Sequence, residues 1–266
     1  MQKILAERGY LIIAVNNSTV DYISCASRLC KSIKTFHPRA SVCLVTDEPV
    51  DDTEFDYVRL LPYGDLSSNT EWKLNNDWQA FACSPYRETI KLESDMLATS
   101  PIDHWWTLFG KKDVFISTGC RNFYDQPGSS RFYRKLFDDN HLPDVYNAIT
   151  YWRLSQTAKE FFDLVRNIFE NWEKYMTLLK FPDDLPTTDV VYAIAATIIG
   201  VEKVTLPTGY GPTIVHMKQR IIETQTEDWT KELVWENTNP GLRIQTVAQH
   251  GLVHYHVKDW EYERNY

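Results

Sequence analysis

The chain has 266 residues, of which 43% are hydrophobic, and its 28 basic and 36 acidic residues leave a net charge of −8. This length allows one large domain or two small ones with a buried core, and the acidic balance argues against a general nucleic-acid binder. The five cysteines are odd in number and contain no C-x-x-C pair, which favours reduced thiols. Because no apolar run approaches the roughly 20 residues of a membrane span and no signal peptide is visible, we expect a cytoplasmic protein without a membrane partner.

The first half of the chain alternates between strand-like and helical patterns. After a predicted capping box of Ser18 and Asp21, apolar residues recur at helical spacing between positions 22 and 36 and predict a helix. Residues 71–83 predict a second helix. Short apolar runs predict buried strands at residues 10–15, 41–45, 57–61, 89–92 and 114–117. This alternation predicts an α/β fold with a mixed, mostly parallel sheet flanked by helices.

The second half of the chain is more helical. A capping box of Thr157 and Glu160 precedes one predicted amphipathic helix. Thr187 or Thr188 caps another predicted helix over residues 189–199, and Gly200 follows it at a position where helices commonly end. No internal repeat or linker interrupts the chain, so we expect a single domain.

Glu93 and Asp95 lie one residue apart, directly after the predicted strand at residues 89–92. Ligands of α/β sheets bind at the carboxyl ends of strands, and carboxylate oxygens suit Mg²⁺ or Mn²⁺ held together with substrate phosphates. The same spacing of acids occurs elsewhere in the chain, but there it does not follow a predicted buried strand. An ordinary turn at a strand end is the alternative to a metal site.

Histidines recur near the C-terminus. His254 and His256 alternate within a predicted strand over residues 252–258, so both imidazoles are expected on one face. Imidazole is a further ligand for Mn²⁺, and the ammonium of Lys258 can neutralise a phosphate. The alternative is an edge strand with solvated side chains, and His216 belongs to a similar but less specific cluster.

A basic and aromatic segment spans residues 111–135, which carry six bases and two acids. Cations and aromatic rings in one loop can hold a polyanion through phosphate contacts and base stacking. A solvated helix face that starts near Ser130 explains the same composition. The candidate contacts to DNA are Arg121, Arg131, Phe132, Tyr133, Arg134 and Lys135.

Taken in order, these segments resemble the GT-A glycosyltransferases, in particular glycogenin-like and bacteriophage enzymes. SPYRETIKLESDML, at residues 84–97, is similar to the segment that ends in the family's acid-x-acid motif, with Glu93 at the position of the usual first Asp. TTDVVYAIAATIIG is similar to the family's helix on the acceptor side, and LVHYHVKDW to its C-terminal segment. The resemblance implies a single GT-A domain with a donor half at residues 1–118 and an acceptor half at residues 119–266.

The resemblance also implies a reaction. A sugar of the glucose or arabinose class would pass from a nucleotide-diphosphate donor of the UDP type, with Mn²⁺ or Mg²⁺ as cofactor and retention of configuration. Glu93, Asp95 and one of His254 and His256 would hold the cation, and Asp189 would face the acceptor as base or hydrogen-bond partner. In the first turn of a helix, Asp189 would also complement the helix dipole without any catalytic role. Donor binding is implied for Asn16, Asn17, Thr46, Asp47, Lys73 and Lys258.

Short transferases of this type resemble bacteriophage enzymes that glycosylate hydroxymethylated pyrimidines in DNA. We therefore expect hydroxymethylcytosine in DNA as the acceptor, with Phe132 or Tyr133 filling the gap that a flipped base leaves. The cytoplasm of an infected host is the expected location. The alternatives are a polysaccharide or lipid-linked acceptor, or a non-catalytic protein that binds nucleotide sugars.

Overall fold

The computed structural model describes residues 3–51, 53–67, 69–128, 134–207 and 209–260. Its strands are, in chain order, β1 (Ala6–Ile13), β2 (Val42–Thr46), β3 (Tyr57–Leu60), β4 (Tyr86–Glu93), β5 (Met96–Ala98), β6 (Val114–Thr118), β7 (Val145–Arg153), β8 (Ile214–His216), β9 (Trp235–Asn237), β10 (Leu242–Ile244), β11 (Val247–Ala248) and β12 (Leu252–His254). Its helices are α1 (Tyr22–Phe36), α2 (Ala80–Cys83), α3 (His104–Phe109), α4 (Arg134–Asp139), α5 (Gln156–Glu170), α6 (Trp172–Leu179), α7 (Thr188–Ile199), α8 (Val201–Val204) and α9 (Gln219–Ile222). Short 3₁₀ helices cover Leu74–Gln79 and Trp229–Lys231.

Within the described residues, six strands form the central sheet in the order β3-β2-β1-β4-β7-β6. The first four of these run parallel, whereas β7 is antiparallel to both of its neighbours. The expected α/β fold with a mixed, mostly parallel sheet is therefore confirmed. Because β7 comes from the second half of the chain and pairs with β4 from the first, both halves contribute to one sheet; their assignment to donor and acceptor stays a prediction.

Helices cover both faces of this sheet. Leu11 and Ile12 are consecutive in β1 and pack into two different hydrophobic clusters, as expected for a strand that is buried on both faces. The cluster that contains Ile12 includes Leu29 of α1, and the cluster that contains Leu11 includes Val165 of α5. None of the helices in the described ranges combines the length and apolar character needed to cross a membrane. None of the five cysteines is in a disulfide, as predicted.

Two smaller sheets lie beside the central one. One has the order β11-β10-β9, and the other has the order β5-β12-β8. In the second, β12 pairs antiparallel with β5 and parallel with β8. Because β5 follows β4 after a two-residue turn, this small sheet brings the C-terminal strand against the end of β4, where the candidate site lies.

The predicted helix starts are partly wrong. The N-cap of α1 is Asp21, whose carboxylate accepts the N–H of Ser24 (3.0 Å), while the predicted cap Ser18 bonds Glu71 instead. The N-cap of α5 is Ser155 rather than Thr157, because the extended backbone of Ser155 (φ −152°) lets its hydroxyl accept the N–H of residue 158. Thr187 caps α7 and Gly200 ends it, as predicted.

The predicted helix at residues 71–83 is shorter and less regular. It consists of the 3₁₀ helix Leu74–Gln79 followed by α2. The side chains of Lys73 and Asn76 bond the carboxylate of Asp65, each at 2.6 Å, and Asn76 also donates to the carbonyl of Lys73 (3.2 Å). Side-chain bonds of this kind compete with regular helix geometry.

Candidate active site

A cleft of about 260 Å³ opens at the carboxyl ends of β1 and β4. Apolar walls come from residues such as Ile13, and aromatic walls from Tyr22 and Trp72. Five residues that the sequence singled out line this cleft: Lys73, Glu93, Asp95, His254 and Lys258. The central sheet and the sheet β5-β12-β8 bring residues 93–95 together with residues 254–258. Lys73 joins them from the start of the 3₁₀ helix Leu74–Gln79.

Glu93, Asp95 and His254 form a compact cluster. Glu93 ends β4, Asp95 lies in the turn before β5, and His254 faces Met96 in the antiparallel pair of β12 and β5. His254 Nε2 lies 2.7 Å from Asp95 Oδ2, and His254 Nδ1 lies 3.2 Å from Glu93 Oε2. The ammonium of Lys258 also contacts Asp95 Oδ2. Two acids, one imidazole and one ammonium therefore meet at one end of the cleft.

The two acids of this cluster differ in charge state. Burial raises the pKa of the Glu93 carboxyl to about 7, although the His254 imidazole opposes that shift. Burial also acts on Asp95, but His254 and Lys258 more than compensate and hold its pKa well below its usual range. At neutral pH the cluster therefore has one fixed carboxylate and one carboxyl group close to its titration point.

The donor atoms of the cluster fit a divalent cation. A carboxylate oxygen of Glu93, one of Asp95 and a ring nitrogen of His254 all lie within 4.8 Å of one another. Two oxygens and one imidazole nitrogen form a donor set that suits Mn²⁺. Tyr146 contacts His254 Nδ1 with its hydroxyl, and a contact of this kind fixes the orientation of a metal-binding imidazole.

His254 belongs to a stack of aromatic rings. Its ring centroid lies 3.9 Å from that of His256 at an interplanar angle of 21°, and His216 lies 4.5 Å from His256 at 24°. Tyr146 stacks on His216 at 4.5 Å and 9°. One ring nitrogen of each of His216, His254 and His256 lies within 4.8 Å of the others, which makes these histidines a second possible donor set for a cation. The stack therefore packs against His254 and places further imidazole nitrogens next to the cluster of Glu93, Asp95 and His254.

The sequence placed His254 and His256 on one face of a strand, and this is wrong. β12 ends at His254, and His256 has a left-handed backbone with φ 59°. The two rings nevertheless meet, because the chain turns back after the strand. Burial lowers the pKa of His256 well below its ordinary value, so this ring is neutral at neutral pH.

Lys73 lies at the edge of the cleft. Its ammonium is 2.6 Å from Asp65 Oδ2, and burial of the two side chains is partial. The pKa of Asp65 is lowered, because the hydrogen bonds from Lys73 and its neighbours outweigh the effect of burial. Donor binding by Lys73 would therefore have to compete with this ion pair.

The other predicted donor contacts do not line the cleft. The side-chain oxygen of Asn16 accepts the N–H of Ile23 (3.1 Å), and that of Asn17 accepts backbone N–H groups in the same turn. Thr46 is buried at the end of β2, and Asp47 is exposed beside it. The two asparagines thus shape the connection from β1 to α1.

Asp189 connects α7 to the central sheet. Its carboxylate Oδ1 accepts the backbone N–H of Asn147 in β7 at 2.7 Å. After burial and the charge of Asp95, the charge of Asp189 contributes to the raised pKa of Glu93. Asp189 therefore lies near enough to the cluster for electrostatic coupling, whereas Thr187 provides the cap of the helix.

Arg121, near the middle of the basic segment, lies next to β8. The N–H of Arg121 donates to the carbonyl of Ile214 (2.9 Å), and the N–H of His216 donates to the carbonyl of Arg121 (2.8 Å). The guanidinium of Arg121 pairs with Asp125 at 3.2 Å, and Lys135 is exposed on α4. The other candidates lie outside the described residues, or have a side chain that is not described: Arg131, Phe132, Tyr133 and Arg134.

One buried network at the cleft was not predicted from the sequence. The ammonium of Lys91 bonds Asp77 Oδ1, and the hydroxyl of Tyr192 donates to Asp77 Oδ2 at 2.5 Å. Lys91 and Asp77 line the cleft, and the side chain of Lys91 is 2% exposed. A lysine within an apolar strand, two residues before Glu93, was the available sign of this network.

Comparisons with known proteins return solved glycosyltransferase structures at low similarity. No family model and no curated protein matches this sequence. The structure of the galactosyltransferase LgtC with donor and acceptor sugar analogues aligns at 9% identity and a TM-score of 0.47, over 76% of this chain and 73% of that one. The glycosyltransferase GlyE of Streptococcus pneumoniae aligns at 10% identity and a TM-score of 0.49, over 94% of this chain.

Mouse xyloside xylosyltransferase 1 aligns at 8% identity and a TM-score of 0.45, over 76% of this chain and 84% of that one. This chain spans 54% of the length of GlyE. At these identities and TM-scores the similarities assign no function to this chain, so the function has to be inferred from the residues of the cleft.

Proposed function

We propose that this chain is a glycosyltransferase that moves a sugar from a nucleotide-diphosphate donor to an acceptor hydroxyl. The observation that carries the proposal is the meeting of Glu93, Asp95, His254 and Lys258 at one end of a cleft large enough for part of a nucleotide sugar. Two acids with an imidazole suit a divalent cation, and a lysine beside them suits a phosphate.

Each group has a distinct role in this proposal. Glu93, Asp95 and His254 would hold a divalent cation, and bound there it would supply positive charge against the leaving diphosphate. The ammonium of Lys258, which contacts Asp95, would also form an ion pair with the same phosphates. Tyr146 would keep the His254 ring in place through the contact at Nδ1.

We further propose that Asp189 acts on the acceptor side. Its Oδ1 accepts the Asn147 N–H, which fixes the carboxylate at the junction of α7 and β7. A carboxylate held in this way can accept the hydrogen of an acceptor hydroxyl as the new bond forms. We expect retention of configuration, which the coupling constant of the product's anomeric proton reports.

The test is nucleotide release from a panel of UDP-sugars in the presence of Mn²⁺. We expect release by the wild-type protein and a loss of at least about a hundredfold in Glu93→Gln and Asp95→Asn, as when a main electrostatic group is removed. Glu160→Gln, an exposed position on α5, is the control for loss of one acidic side chain. Failure to bind any donor refutes the proposal, and donor binding without turnover favours a non-catalytic binding protein.

For the acceptor we propose hydroxymethylcytosine in DNA. The support is the basic composition of residues 111–135 and the backbone pairing of Arg121 with β8, whose end at His216 stacks on the site. Gel retardation with modified DNA across a salt series tests this, because phosphate contacts make binding salt-dependent. No retardation, together with transfer to a saccharide or lipid-linked sugar, would favour the alternative acceptors.

A further inference from the structure

The segment that carries Lys258 is not held by regular secondary structure. β12 ends at His254, and residues 255–260 form a turn. Within it, the N–H of Val257 donates to the carbonyl of Tyr255 (2.7 Å), and the N–H of Trp260 donates to that of Val257 (3.1 Å). Contacts from outside also hold this segment: the N–H of Tyr255 donates to the carbonyl of Asp95 (3.2 Å), and Trp229 Nε1 donates to the carbonyl of Tyr255 (2.8 Å).

Arg28 of α1 provides such a contact. Its Nη1 donates to the carbonyl of Trp260 and its Nη2 to the carbonyl of Lys258, both at 2.6 Å. The same guanidinium lies 5.5 Å from the centre of the Tyr255 ring. A planar fork that donates two charged hydrogen bonds fixes both distance and direction, which a lysine ammonium does not.

The side chain of Lys258 returns to the same helix. Its ammonium lies 5.5 Å from the ring centre of Tyr22, the first residue of α1, and contacts Asp95. Helix α1 therefore holds the main chain of Lys258 through Arg28 and lies beside its charged end through Tyr22. With the main chain fixed, the lysine has fewer conformations to lose when it meets a ligand.

We propose that Arg28 is a positioning residue, which holds the turn at residues 255–260 so that the ammonium of Lys258 faces the diphosphate of the donor. This inference rests on the proposed function, because the diphosphate is the ligand that Lys258 would meet. Arg28 itself does not line the cleft and would act through Lys258 alone.

A double-mutant cycle on nucleotide affinity tests this role. UDP and UMP are titrated calorimetrically in the presence of Mn²⁺ into the wild type, Arg28→Ala, Lys258→Ala and the double variant. We expect each single variant to lose about tenfold or more in affinity for UDP, the range of one charged hydrogen bond, with a smaller loss for UMP. The double variant should lose no more than Lys258→Ala alone, because Arg28 acts through that lysine.

Two further variants separate positioning from folding and from charge. Arg28→Lys keeps the charge but cannot donate to both carbonyls in one plane, so it should retain thermal stability without restoring UDP affinity. Lys31→Ala removes an exposed cation from the same helix and should leave UDP affinity unchanged. In Arg28→Lys, hydrogen exchange of the Val257 and Trp260 amides should be faster even without nucleotide.

Equal losses for UDP and UMP would overturn the inference. So would full additivity with Lys258→Ala, or unchanged amide exchange at residues 257–260. A wild-type protein that binds neither nucleotide would refute the proposed function itself. A wild type that binds UDP normally, with Arg28 variants that do the same, would refute only the role of Arg28.

Discussion

Breaking the buried pair of Lys91 and Asp77 should destabilise the protein strongly and unequally. The side chains of Lys91 and Asp77 are 2% and 10% exposed, so a charge that loses its partner stays desolvated. Removal of one partner of such a pair costs about 3–5 kcal/mol. Lys91→Met leaves Asp77 with the hydroxyl of Tyr192. Asp77→Leu leaves the ammonium without its carboxylate, with the Tyr192 ring centre 5.7 Å away, and also removes the partner of the Tyr192 hydroxyl.

We therefore expect the free energy of unfolding to fall by about 3 kcal/mol in Lys91→Met and by about 5 kcal/mol in Asp77→Leu. The double variant replaces the pair by apolar groups and should recover at least about 2 kcal/mol relative to the sum of the single changes. Urea unfolding followed by circular dichroism at pH 7 measures all three free energies. Losses below about 1 kcal/mol in both single variants, or simple additivity, would show that the pair is not desolvated as described.

Three further predictions concern the cluster of Glu93, Asp95 and His254 and the backbone near it. Burial raises the pKa of Glu93 to about 7, and a protonated Glu93 cannot bind a cation as a carboxylate. Mn²⁺ affinity should therefore fall about tenfold per pH unit below pH 7 and level off above it. A calorimetric affinity that stays constant down to pH 5 would contradict this. His256→Phe keeps the ring that packs on His254 and should keep Mn²⁺ affinity within about threefold, whereas a loss of about a hundredfold would make His256 a ligand. Gly251 has φ +78°, and a Cβ there would lie 2.3 Å from the carbonyl oxygen of Thr213. Gly251→Ala should therefore lower the free energy of unfolding by more than about 1–2 kcal/mol, measured by thermal unfolding. An unchanged melting temperature would contradict this.

Strands β1, β2, β4 and β6 were predictable because they are largely buried and mostly apolar. The prediction of a buried strand at residues 57–61 is wrong in its burial, because β3 is only partly covered and Leu60 is exposed. The helix starts were less predictable, since several polar side chains before α1 and α5 can cap, and the backbone decides between them. Asp21 and Ser155 cap because each has the conformation that lets its oxygen reach the N–H three residues later. The predicted helix around Lys73 is irregular in the structure, where the side chain of Lys73 pairs with Asp65. A helical pattern of apolar residues does not indicate this contact.

The position of Glu93 and Asp95 at the end of a strand could be predicted because they follow an apolar, buried run. The other acid-x-acid segments lack this context. The end of β12 could not be predicted from the sequence, because residues 255–258 continue the alternating pattern. His256 was therefore predicted to lie on the strand with His254. The network of Lys91, Asp77 and Tyr192 joins positions 14 and 115 residues apart, and only the packing of α7 against the sheet brings them together.

The most direct test of the site is the rate of UDP release from a donor sugar as a function of Mn²⁺ concentration. His254 comes from the far end of the chain, and in the structure it lies with Glu93 and Asp95 in one donor set. We expect no release in EDTA, recovery with Mn²⁺, and a Mn²⁺ midpoint at least about tenfold higher in His254→Ala than in the wild type. Release that continues in EDTA, or an unchanged midpoint in His254→Ala, would contradict a shared cation site at this end of the cleft.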